Sequence, residues 1–405
     1  MKVKIRNLFV VNLLRDIVYL PLWYLQKYIK RDSHLWIFGA WFGNSYSDNS
    51  KIVFEEVLAN YKEIKAVWIT RNRNVFKDLA NRGINVAMCG SIKGIYYCIK
   101  AKYAFVCGGL TDFNEHCLNG AIQVWLWHGM PMKHICYDQK KFDRENGNFN
   151  FKDKVRHLFP YRKNIKPKYF LSTGSFHVPI LKSAFHITEE NIYEIGLPRN
   201  DCFFNNYTEQ IIKNIRERYF NPFVILYMPT FRDDIIIKHK EAYDSFKNSF
   251  MAERFCKILN EQNIVFLYKG HFYDLQLNTF DENISDRFIK IDDSMYDNLY
   301  SMIKDVDLLM TDYSSIYFDF LLLRKPVILT PFDYDTYITQ SRPLYFDYYS
   351  TIEGVVAKNW NDVMDILEKK SYFVPGISTL EKFHKHIDNK STERVIETVL
   401  NDSKL

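Results

Sequence analysis

Short apolar runs recur along this chain, and each one ends in a polar turn. Residues 35–38, 66–70, 86–88, 104–107, 122–127 and 168–171 form one series. Residues 224–228, 265–268, 288–290, 308–310 and 327–329 form a second. Helical patterns lie between them, for example over 50–61 and 74–81. Runs this short that are apolar throughout, not alternating, read as strands buried on both faces. Strands that alternate with helices imply an α/β fold, with parallel sheets covered by helices on both sides. At 405 residues the chain has room for two such domains. The expected division is a leading helix over 1–31, a first Rossmann-like domain over 32–196, a second over 197–374 and a helical tail over 375–405. The chain has no internal repeat and no glycine-rich phosphate loop of the Walker or GxGxxG kind.

In open parallel sheets the chemistry sits at the carboxyl ends of the strands. The run 308–310 exits into Thr311-Asp312-Tyr313-Ser314-Ser315, and Asp319 follows about one helical turn later. Hydroxyls and free N–H groups at a helix start suit a phosphate, although a serine there can also be a plain N-cap. His128 stands at the exit of the run 122–127. Gly129 and Pro131 force a turn after it, and Lys133 follows. An imidazole so placed can transfer protons near neutral pH. Arg232 and Asp233 follow the run 223–228, and Lys269, Gly270 and His271 end the run 264–268. Arg199 lies in the turn that begins at Gly196. Cations at several strand exits could neutralise a diphosphate. Asp233 and Asp234 are adjacent, so in an extended chain they point in different directions, and no metal is expected.

Together these segments resemble the CDP-glycerol glycerophosphotransferases that build teichoic acids and related capsule polymers. The likeness runs from about Trp36 to about Pro343. It is carried by WIFGAWFGNSYSDNSK, WHGMPMK, GLPRND, YMPTFRDD, KGH and TDYSSIYFDF followed by KPVIL. It implies a two-domain glycosyltransferase-B fold, with strand ends of both halves facing one cleft. It also implies the chemistry: an acceptor hydroxyl attacks the phosphorus that carries glycerol, and CMP leaves. His128 matches the histidine taken as general base, and His271 a second histidine thought to hold the donor's diphosphate. Ser314 and Ser315 match the phosphate-binding serines, with Thr311 beside them. Asp319 matches an acidic residue of the donor site. Arg232 matches the arginine of a PTWRDD-like loop, with Phe231 here in place of Trp. After the first histidine many relatives read PLKKIG, where this chain has Pro131-Met132-Lys133-His134-Ile135-Cys136. That difference bears on acceptor contacts.

Composition agrees. The 54 basic and 48 acidic residues leave a net charge of +6, which suits anionic lipid or a phosphate-rich polymer and is too small to argue for nucleic acid. Seven scattered cysteines with no Cys-X-X-Cys pair suggest neither a disulfide framework nor zinc. Residues 8–25 are apolar but interrupted by Asn12, Arg15-Asp16 and Pro21, with basic residues on either side. A spanning helix needs about 20 mostly apolar residues, so a helix lying in the membrane surface is expected, with packing on the protein's own core as the other reading. The resemblance implies that the setting is the cytoplasmic face of the membrane. The expected partners are CDP-glycerol and a lipid-linked or polymeric acceptor, with no cofactor. A ribitol-phosphate transferase, a sugar-nucleotide glycosyltransferase of the same architecture and a non-catalytic membrane adaptor remain the other readings.

Overall fold

The computed structural model describes residues 2–145, 155, 158–163, 165–230, 249–270 and 285–403. The chain divides into two compact units. The first comprises 1–128, 136–201 and 390–405, and the second comprises 129–135 and 202–389. The last helix, Ser391–Ser403, thus belongs to the first unit.

The first unit is built on a seven-stranded sheet, ordered β3-β2-β1-β4-β5-β6-β7. Its strands are β1 (Asp32–Phe38), β2 (Lys65–Thr70), β3 (Val86–Met88), β4 (Ala101–Val106), β5 (Ile122–Trp125), β6 (Pro167–Ser172) and β7 (Ile192–Glu194). Every pairing is parallel. Phe38 stacks on Phe105 of the neighbouring strand at 4.3 Å and meets Phe54 edge-on at 5.2 Å. Phe54 comes from helix α2 (Asp48–Asn60), so this contact seats the helix on the sheet. Each such buried aromatic contributes roughly 1.5–3 kcal/mol relative to leaving it exposed.

The second unit repeats the plan with six strands, ordered β10-β9-β8-β11-β12-β13. These are β8 (Phe223–Met228), β9 (Ile264–Tyr268), β10 (Phe288–Lys290), β11 (Leu308–Thr311), β12 (Val327–Leu329) and β13 (Val355–Val356). All are parallel. Phe255 and Trp360, from two helices on one face, pack on Tyr227 and Phe266 of the sheet. The alternation read from the sequence is therefore present as two α/β units. Numbered within their own unit, both sheets share the order 3-2-1-4-5-6, to which the first adds a seventh strand at its edge. Strand order reverses between β1 and β4 and between β8 and β11, the kind of switch point beside which open α/β sheets bind ligands. None of the seven cysteines is in a disulfide.

The leading helix, α1 (Lys2–Leu25), is docked on the first unit. It turns polar groups inward. Asp16 is fully buried, and its carboxylate takes a 2.9 Å hydrogen bond from His116 Nε2. Tyr19 stacks on the His116 ring at 4.7 Å. The Gln26 amide, one residue past the helix, donates to the His116 carbonyl at 2.7 Å. Facing outward at spacings of three and four are Val11, Leu14, Val18, Pro21, Leu25 and Tyr28, all exposed. The Arg15-Asp16 interruption that argues against a spanning helix is thus answered by a partner a hundred residues away. Among the described residues no helix is long and apolar enough to cross a membrane.

Candidate active site

In the first unit the site grows from the switch point. Strand β5 ends at Trp125, two residues before the expected end, because Trp127 adopts a left-handed conformation (φ 54°). This turn brings His128 to the residue that follows β4. Its Nδ1 lies 3.2 Å from the carbonyl oxygen of Cys107, the first residue after β4. A carbonyl can only accept, so Nδ1 carries the proton and the basic lone pair is on Nε2. The half-buried ring packs against Trp127 at 4.1 Å and Trp41 at 5.0 Å.

The loop leaving β1 is strained. Trp41, Phe42 and Gly43 have φ of 47°, 60° and 78° in succession. A non-glycine residue in this region costs about 1–2 kcal/mol and needs surrounding structure to hold it. The holding group is Asp112. Its Oδ1 accepts from the Phe42 N–H at 2.7 Å, and its Oδ2 accepts from the N–H groups of Cys107 and Gly108 at 2.8 Å each. Burial pushes the Asp112 carboxyl up to about 6, while these hydrogen bonds oppose the rise.

A second brace starts at the head of α2. The Asn49 side-chain amide donates to the Trp127 carbonyl at 2.8 Å, and its Oδ1 accepts from the Arg199 N–H at 2.9 Å. The Arg199 guanidinium donates to the His128 carbonyl at 2.9 Å and to the Asp48 carboxylate at 3.0 Å, a pair almost wholly buried. Arg199 is therefore committed to the main chain of His128. The segments NSYSDNSK, WHG and GLPRND, far apart in sequence, converge on the main chain of Trp127 and His128. Asp48, Asn49 and Asp112 are the functional candidates that sequence reasoning missed. Asp48 and Asn49 lie inside a quoted segment, but Asp112 carries no motif signal of its own.

In the second unit the corresponding exits carry the other candidates. Asp312 follows β11, and its Oδ1 accepts from the N–H groups of Thr230, beyond β8, at 2.8 Å and of Tyr313 at 2.6 Å. The Thr311 hydroxyl donates to the Met228 carbonyl at 2.7 Å, so its proton serves the strand junction. Ser314 and Ser315 are half-buried just before helix Ile316–Leu321, and the Ser315 side chain makes no capping hydrogen bond. Asp319 lies inside the unit, buried, where its carboxylate accepts from the Tyr300 hydroxyl at 3.2 Å. Lys269, at the β9 exit, pairs with Asp293 at 2.7 Å and lies 5.2 Å from the Tyr296 ring centre. Gly129 (φ 130°) and Pro131 lead into Lys133, whose backbone bridges to Leu344. Arg232, Asp233 and His271 lie outside the described residues.

The sequence profile of the family described as CDP-glycerol:poly(glycerophosphate) glycerophosphotransferase matches residues 22–401. The chain belongs to that family. Two glycerophosphotransferase relatives illustrate the likeness. The teichoic acid glycerol-phosphate transferase of Staphylococcus aureus is 26% identical, covering 91% of this chain and 93% of its own length. The teichoic acid poly(glycerol phosphate) polymerase of Bacillus subtilis is 27% identical over 90% of this chain, which spans only 48% of that protein. Among solved structures, the wall teichoic acid polymerase TagF is 21% identical with a TM-score of 0.69, covering 99% of this chain and 97% of its own. A TagF variant soaked with CDPG matches over 99% and 96%, at 21% identity and a TM-score of 0.66. The fold of this glycerophosphotransferase is thus that of TagF.

Proposed function

We propose that this glycerophosphotransferase moves glycerol phosphate from CDP-glycerol to a hydroxyl of a lipid-linked or polymeric acceptor and releases CMP. The setting is synthesis of teichoic acid or a capsule-type polymer. The observation that carries this reading is the His128–Cys107 hydrogen bond, which leaves the basic nitrogen of a strand-exit imidazole at Nε2. The acceptor oxygen forms the new bond to phosphorus, the bond from phosphorus to the CMP oxygen breaks, and Nε2 takes the proton. The protein's share is positioning and charge stabilisation, as in other phosphoryl transfers. On the donor side the proposal assigns Ser314 and Ser315 to phosphate, beside Thr311. It assigns Lys269, Arg232 and His271 to the charge of the leaving group. The buried bond between Asp319 and Tyr300 favours a supporting role for Asp319 over direct contact with donor. The relatives named for glycerol-phosphate transfer, and the TagF variant soaked with CDPG, support the choice of donor. The glycosyltransferase-B arrangement belongs to the same proposal.

The proposal includes a place of action, the cytoplasmic face of the membrane. The outward stripe of α1 supports it, since apolar residues at helical spacing beside Arg15 and Lys27 suit an anionic lipid surface.

The test is CMP release from CDP-glycerol with a glycerol-phosphate-primed acceptor, comparing wild type with His128→Ala. The expected loss in the variant is about a hundredfold or more. Release from CDP-ribitol or a UDP-sugar, with none from CDP-glycerol, overturns the donor. Undiminished release by His128→Ala overturns the base.

A further inference from the structure

We propose that Asp112 is the positioning residue for His128, fixing the tautomer and ring orientation of the base through the two loops that it ties together. The proposal rests on the reading of His128 as base. Four observations carry it.

Asp112 sits at the switch point of the first sheet, where β1 and β4 part. It does not touch His128. It holds what touches His128. One carboxylate oxygen takes the N–H groups of Cys107 and Gly108, and the Cys107 carbonyl is the acceptor for His128 Nδ1. The other oxygen takes the N–H of Phe42, whose neighbour Trp41 packs against the imidazole.

The loop it holds has two consecutive non-glycine residues and a glycine in the left-handed region. Such a conformation persists only where something over-determines it. A carboxylate accepting at both oxygens does so. An amide does not, because its NH2 group must face one of these N–H groups.

Space around the carboxylate is also cleared for it. A Cβ at Gly39 would lie 3.1 Å from Asp112 Cβ, and one at Gly108 would lie 3.1 Å from Oδ1. Glycines on both loops permit the close approach. Finally, the carboxylate is fully buried, where its hydrogen bonds are strong and directional.

The experiment reads His128 directly. The 15N shifts of its ring nitrogens report which one carries the proton, and His128→Ala identifies the signals. Wild type is expected to show the Nδ1–H tautomer. Asp112→Asn is expected to show a mixture, with kcat for CMP release lower by about tenfold or more and the KM for CDP-glycerol within about threefold. A merely structural loss lowers the folded fraction and leaves the tautomer alone. Gly108→Ala keeps the carboxylate but crowds it, and is expected to shift the tautomer in the same direction. It decides the matter should Asp112→Asn not fold. A wild-type tautomer in every folded variant overturns the proposal. Full activity of His128→Ala overturns the base assignment instead, and the tautomer reading stands independently of that outcome.

Discussion

Asp112 and Asp312 make the same kind of tie beside two different sheets. Each follows the fourth strand of its unit, and each accepts a hydrogen bond from a backbone N–H in the loop leaving the first strand. These donors are Phe42 at 2.7 Å and Thr230 at 2.8 Å. A parallel sheet parts its loops at the switch point, and a short carboxylate ties the two sides together in both units. His128 belongs to the first unit, and in the second Ser314 and Ser315 follow Asp312 by two and three residues.

Replacing His128 by Asn keeps a group able to donate to Cys107 but removes the base. The kcat for CMP release is expected to fall by about 10²–10⁴-fold, with little change in the KM for CDP-glycerol. Steady-state kinetics on purified protein measure both. A variant whose KM rises while kcat holds places His128 in donor binding.

Asn49→Asp keeps the acceptor for the Arg199 N–H but turns a carboxylate oxygen toward the Trp127 carbonyl. The substitution leaves a buried acceptor facing another acceptor and costs about 1–3 kcal/mol. A lower thermal midpoint together with weaker CMP release is the expected pair of results. An unchanged midpoint shows that the amide does not hold the turn.

The Asp112 carboxyl is raised from 3.8 to about 6 in the folded chain. A raised carboxyl favours the folded state while protonated. Its contribution is therefore fully present below about pH 4 and is lost as the pH rises through about 6. Titration of the Asp112 carboxyl carbon by 13C NMR should give a midpoint near 6. A midpoint at or below 4 shows that the three N–H donors outweigh burial.

Leu14→Glu and Val18→Glu lie on the outward face of α1. They are expected to reduce flotation with anionic vesicles by about tenfold while leaving stability within about 0.5 kcal/mol. Asp16→Ala, on the inward face, leaves His116 without its carboxylate and is expected to lower the melting temperature. Vesicle binding that survives both glutamates assigns the membrane contact elsewhere.

Asp319→Ala is expected to act on stability first. It removes the acceptor of the buried Tyr300 hydroxyl, at a cost of about 1–3 kcal/mol. Tyr300→Phe should reproduce a smaller part of the loss. A raised KM for CDP-glycerol at full stability returns Asp319 to direct donor contact.

Most strands were legible because they are short apolar runs closed by a turn residue, and that signal is local; β13, only two residues long (Val355–Val356), was not. The end of β5 was not, because Trp127 turns left-handed there and its carbonyl is bonded by Asn49 from another segment. The meaning of Asp16 was half legible. A charge inside an apolar run argues against spanning a membrane, but its partner His116 lies a hundred residues on. Arg199 could be picked out as a cation in a turn, yet its target, the His128 carbonyl, has no side-chain signature. Asp112 was invisible for the same reason. Its ligands are backbone N–H groups, which every sequence supplies and only a fold can aim. Arg232, Asp233 and His271 lie outside the described residues and stay with the proposal.

The inverted polarity of α1 has a mechanical consequence. A helix joined to its protein by a loose linker lets the body wander over many heights above a bilayer. A helix sealed to the body through Asp16, Trp23 and Gln26 does not. If lipid takes the outer stripe, it takes the whole first unit with it, His128 included. The helix then works as a spacer of fixed length, and the reach from membrane to base becomes a property of the acceptor that has to span it.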